Sequence, residues 1–154
     1  MMANTYTQLN VQGVFSVKGR ENFLLDSFRQ ELFKYITGIL KNNNQFPLAV
    51  NGYKDHVHIF FELHPSNSVS DILKIVKANS SKWINDQKFL RNKFNWQNGF
   101  GAFSYSRSQR DQIINYIKNQ ERHHTKRAFK DEYLDLLRNF EIDYEDAYNF
   151  EFYD

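Results

Sequence analysis

Two pairs of residues in this chain have types and spacings that could do chemistry together. The first is His56-Val57-His58, running on into Ile59-Phe60-Phe61. On a strand, residues i and i+2 share a face, about 6.6 Å apart. Two neutral imidazoles so placed can chelate one divalent cation. The second pair is Tyr116 and Gln120, four apart in Ile114-Asn115-Tyr116-Ile117-Lys118-Asn119-Gln120. On a helix that spacing puts both on one face. The Gln120 amide oxygen could serve as a third ligand, and the Tyr116 phenol would then sit beside a metal-held phosphate. A phenol is a weak nucleophile at its ordinary pKa near 10, and a cation both helps it and polarises the phosphate. Each pair alone has a plainer reading. The histidines could line a polar sheet face, and Tyr116 is one of nine tyrosines. With no cysteine in the chain, disulfides, zinc–thiolate sites and thiol nucleophiles are excluded. Any metal must use imidazole, carboxylate, amide or water.

The elements that must position these groups follow from patterning. Tyr6 to Val17 is rich in β-formers and reads as a first strand ending at Lys18-Gly19-Arg20. Leu25, Phe28, Leu32, Tyr35, Ile36, Ile39 and Leu40 recur at helical spacing, which predicts a helix over about 22–42. Asn42-Asn43-Asn44 ends it. Phe46 to Gly52 and His56 to Leu63 read as a hairpin turned by Lys54-Asp55. A second helix runs through Val69 to Ile84, capped by Ser68 or Ser70. Phe100 to Ser106 is a fourth strand. Ser108 can cap a third helix reaching about Arg122, and a fourth helix covers Phe129 to Asn139. The order predicts an α+β, ferredoxin-like βαββαβ fold: a four-stranded antiparallel sheet with helices on one face, plus C-terminal helices. The second face is left for a ligand or for those last helices.

The 154 residues fit one domain, with a boundary at 139/140 between a catalytic body (1–139) and an acidic, aromatic tail (140–154). Residues 1–139 hold all 20 Lys and Arg and 12 of the 18 acids, a net +8, and the tail holds the other six acids. A body so charged favours a polyanion. A solubilising surface balanced by an acidic tail would look the same. Lys18, Arg20, Lys74, Lys77 and Lys82 are candidate phosphate contacts. The tail aromatics (Phe140, Tyr144, Tyr148, Phe150, Phe152, Tyr153) predict packing onto the body or a second subunit. No apolar run is long enough to span a bilayer. Met1 to Tyr6 lacks the regions of a signal peptide, which points to the cytoplasm.

Gly99-Phe100-Gly101 invites comparison with the RNA-recognition signature, whose aromatics stack bases. The register fails: Ala102 displaces Phe103, and no Lys or Arg precedes Gly99. The glycines instead suit a bend before the tyrosine helix.

Taken together, five segments resemble the single-tyrosine HUH transposases of small bacterial insertion sequences, the IS200/IS605-like group. They are Val14–Arg20, Asp55–Ile59, Lys77–Ile84, Trp96–Ser106 and Tyr116–His124. The resemblance runs in order through nearly the whole chain. It implies His56 and His58 as metal ligands, Gln120 as the third ligand and Tyr116 as the nucleophile. It implies Mg2+ or Mn2+ as the cofactor and no nucleotide cofactor. It also implies single-stranded DNA with hairpin ends as partner, a 5′-phosphotyrosine intermediate, and a homodimer in which the tyrosine helix acts in cis or in trans. Two readings stand beside it. One is a hairpin-binding module of the same fold with an idle or domesticated site. The other is an HUH nickase of the replication or relaxase type. A histidine phosphoesterase is disfavoured, since only one His-x-His occurs and His123-His124 fall on a helix.

Overall fold

Four runs of β-forming residues pair into one antiparallel sheet in the computed structural model, which describes residues 4–146 and 149–153. β1 is Asn10–Ser16, β2 Phe46–Gly52, β3 His56–Glu62 and β4 Gly101–Tyr105, in the spatial order β2-β3-β1-β4. Between the strands lie α1 (Asp26–Asn42) and α2 (Val69–Gln87), and after them α3 (Arg110–Lys118), α4 (Gln120–His124) and α5 (Phe129–Asn139). This is the ferredoxin-like α+β arrangement the element order predicts.

Alternation divides the sheet. Val57, Ile59 and Phe61 of β3 are buried on the face that takes α1 and α2. The helices meet that face with stripes at helical spacing, Phe28, Leu32, Ile36 and Leu40 on α1 and Ile72, Leu73 and Val76 on α2. Each such side chain contributes about 1.5–3 kcal/mol by leaving water. Approach is close at Gly13, where an added Cβ would lie 2.9 Å from the Leu73 side chain. The Ser68 hydroxyl accepts from the Asp71 N–H and caps α2.

The other face carries His56 and His58, opposite Ser16 and Val14 of β1. It is not left open. Asn51 on β2 binds the end of α3, Phe140 packs on Phe103 and Tyr105 of β4, and Tyr133 of α5 lies against Gly101. A Cβ at Gly101 would sit 2.5 Å from the Tyr133 hydroxyl, so this glycine admits α5 to the sheet. The bend assigned to the glycines falls on Gly99, whose φ is +85°.

Several boundaries differ from the sequence reading. β1 begins at Asn10, not Tyr6, because its partner ends there: Asn10 pairs with Glu62 at the end of β3. α1 begins at Asp26, since Arg20–Asn22 form a 3-10 turn and Leu24 is tied by its N–H to the Lys54 carbonyl (2.6 Å). The cap before the third helix is Ser106, paired with Gln109 in a capping box, not Ser108. That helix also breaks at Asn119. The Asn51 side chain donates to the Ile117 and Lys118 carbonyls (2.9 and 3.0 Å), which an unbroken helix would use for its next turn.

The tail packs back onto the body. Phe150 is buried against Tyr133 and Phe129, and the Tyr153 hydroxyl accepts from the Gly19 N–H. Tyr148 lies outside the described residues, as do Met1 to Ala3 of the leader reading. No helix among the described residues is long and apolar enough to cross a membrane.

Candidate metal and nucleophile site

β3 presents His56 and His58 side by side, fully buried, with ring centroids 5.0 Å apart. The helix break swings Gln120 inward beneath Tyr116. The Gln120 Oε1 accepts from His56 Nε2 at 2.8 Å, and its amide donates to Glu132 at 2.8 Å. The Tyr116 phenol donates to the same carboxylate. The four residues singled out in the sequence therefore converge within one chain.

The roles of Glu132 and of the side chains around the two histidines were not anticipated. Glu132 is buried on α5 and receives His58 Nε2 and His124 Nε2, each at 3.1 Å, with His56 Nε2 3.4 Å away. Asp55 accepts from His56 Nδ1 at 2.7 Å and so directs Nε2 toward the centre. Gln12 donates to His58 Nδ1 at 2.8 Å and is itself held by the Tyr105 hydroxyl at 2.6 Å. Phe129 lies flat on His56, ring centroids 4.0 Å apart and 7° from parallel. A sequence signal for Glu132 existed: it is an acid on the buried stripe of α5, beside Phe129 and Tyr133. Buried acids are rarely without partners.

Electrostatics follow from this packing. Burial alone would lower His56, but its hydrogen bonds to the Asp55 and Glu132 carboxylates override that and raise its pKa from 6.5 to about 9. Burial keeps His58 below its ordinary value despite Glu132. Burial would raise Glu132, yet the charge of His58 and hydrogen bonds from the three imidazoles hold it well below the carboxylate range. Asp55 is likewise lowered against burial by its bond to His56. Burial, then the Glu132 charge, pushes the Tyr116 phenol above its usual 10.

The donor set suits a hard divalent cation. One ligand atom from each of His56, His58 and Glu132 lies within 4.8 Å of the others, all buried, and the Gln120 oxygen adjoins them. The group can bind a metal.

The five candidate phosphate contacts lie elsewhere. Lys74, Lys77 and Lys82 are on α2, against the opposite sheet face. Lys77 is half-buried and donates to the Gln97 and Gly99 carbonyls at 2.7 Å, so it braces the loop before β4 rather than standing free. Its desolvation lowers its pKa. Lys82 pairs with Asp86, and Arg20 donates to the Tyr153 carbonyl. Lys18 and Lys74 are exposed.

The structure is thus a ferredoxin-like sheet bearing a His-x-His pair, with a tyrosine and a glutamine brought across it. The IS200-like transposase family model matches residues 5–120, and the chain belongs to that family. Among solved structures it is similar to a transposase candidate from Deinococcus radiodurans R1, with 22% identity and a TM-score of 0.62 over 78% of this chain and 96% of that one. It is also similar to a REP-associated tyrosine transposase bound to a REP hairpin, with 16% identity and a TM-score of 0.58 over 80% and 73%. No curated protein gives a significant sequence match.

Proposed function

We propose that this transposase-family protein cuts and rejoins single-stranded DNA at element ends marked by hairpins, through a 5′-phosphotyrosine. Tyr116 Oη attacks the scissile phosphorus, the bond to the 3′ oxygen breaks, and that oxygen takes a proton from solvent and leaves as a free 3′-hydroxyl. The phenolic O–H donates a hydrogen bond to the Glu132 carboxylate, which relays its proton to solvent. His56, His58 and Gln120 would hold Mg2+ or Mn2+, with the Glu132 carboxylate as a further ligand. A cation bound there would polarise the phosphate and offset the charge that gathers on it. Rejoining is the reverse attack by a 3′-hydroxyl, so no nucleotide cofactor is needed. The working unit is a cytoplasmic homodimer, each chain closing its own site in cis at rest.

One observation carries this reading: the phenol, the amide and two imidazoles, from a strand and two helices, meet at one buried carboxylate. A module that only binds DNA has no use for that convergence. The test is incubation with hairpin-bearing single-stranded DNA and Mn2+, followed by denaturing electrophoresis. A covalent adduct is expected with the native chain and none with Tyr116→Phe, while hairpin binding persists. An undiminished adduct in Tyr116→Phe, or in excess chelator, would remove the nucleophile or the metal from the scheme.

A further inference from the structure

We infer that the cavity beside Tyr116, between α4 and α5, seats a phosphate of the single-stranded substrate, gripped by Arg122 and Lys126. The inference rests on the function proposed above and adds to it the residues that hold the strand at the reaction centre.

The cavity encloses about 370 Å³, and Tyr116, Glu132, His123, Arg122 and Lys126 line it. That volume is within the range of small-ligand sites. The candidate nucleophile borders it, so a phosphate within it lies against the phenol.

Charge selects an anion. Arg122 and Lys126 are exposed on the rim, and neither has an ion-pair or hydrogen-bond partner for its side chain among the described residues. Arg127, on the same rim, differs: it is committed to the Asp135 carboxylate and the Asp131 carbonyl. The Lys126 N–H bonds to the His123 carbonyl at 3.1 Å, a turn that keeps Lys126 close to α4. The Glu132 carboxylate is already engaged by hydrogen bonds from His58, His124 and Gln120.

His123 is the second, independent sign. Its ring stacks on Tyr116 at 4.9 Å and 28°, and its Nε2 is buried without any hydrogen-bond partner. Buried polar atoms are almost always satisfied. With its proton on Nε2, the ring has a donor for which a phosphate oxygen is the acceptor.

Arg122, His123 and Lys126 all follow residue 120, where the family match ends. They also lie apart from the α2 lysines, which line the opposite side of the sheet.

The test uses the full chain carrying Tyr116→Phe, in chelator, with a fluorescein-labelled oligothymidine read by anisotropy across a salt series. Adding Arg122→Gln with Lys126→Gln is expected to reduce the slope of log affinity against log salt by about 0.7, the contribution of one single-strand phosphate. Lys34→Gln with Lys41→Gln, exposed on α1, removes equal charge and should leave the slope in place. An unchanged slope in the first pair, or an equal fall in the second, overturns the inference. Adduct formation by the native chain is scored separately. A normal adduct with an unchanged slope rejects the seat alone. No adduct with a reduced slope rejects the cleavage reading and keeps the seat as a binding site.

Discussion

At Glu132 two imidazoles, an amide and a phenol converge on one carboxylate, with His56 just beyond. Such a group cannot be removed without leaving several buried donors unpaired, each at a cost of about 1–3 kcal/mol. Among them, the shift of His56 falls in an accessible pH range. It titrates at about 9 in the folded chain and at its ordinary 6.5 when unfolded. The folded state therefore holds that proton more tightly. Its stabilising effect is complete below 6.5 and disappears as pH rises through about 9. The difference is on the order of 3 kcal/mol. Urea unfolding in chelator should show stability falling across that window, and Asp55→Asn should flatten the fall by removing the bond that holds the proton. A stability that stays level from pH 6.5 to 9 would contradict the assignment. The same proton must leave before Nε2 can take a cation, so Mn2+ affinity should rise over this interval.

At the scale of elements, the break at Asn119 decides whether Tyr116 and Gln120 reach the same carboxylate. The sequence spacing put them on one face of an unbroken helix. The structure reaches the same juxtaposition by another route, because Asn51 on β2 takes the Ile117 and Lys118 carbonyls and turns the chain. The order of strands and helices was legible, since hydrophobic period and turn residues are local. So was the face shared by His56 and His58, which alternation dictates. The break was not, because its cause sits 66 residues away on another element. Glu132 was missed for a similar reason: an acid on an apolar stripe shows its meaning only once the stripe has a partner. Asn51→Leu keeps the size of the side chain and removes both donors. We expect a loss of about 1–2 kcal/mol in urea unfolding, and a slower adduct with hairpin affinity unchanged. Native adduct rates in that variant would show that the break does not position the tyrosine.

At the scale of the whole molecule, the acidic tail is joined to the site through a column of rings. Phe150 packs on Tyr133 at 5.0 Å and on Phe129 at 6.3 Å, and Phe129 lies flat on His56. Around that column the Glu151 N–H donates to Gln97 at 2.8 Å, and Arg20 holds the Tyr153 carbonyl. The tail thus packs on α5 and backs the ring that lies on His56. Phe150→Ala empties a buried aromatic position, a change that usually costs about 3–5 kcal/mol. Its expected result is a lower urea midpoint together with weaker Mn2+ binding by calorimetry, because Phe129 loses its backing and His56 its fixed plane. Tyr144→Ala, an exposed ring in the same tail, should stay within about 0.5 kcal/mol of the native chain and bind Mn2+ normally. If Phe150→Ala lowers stability but leaves Mn2+ affinity untouched, the tail supports the fold without bracing the site.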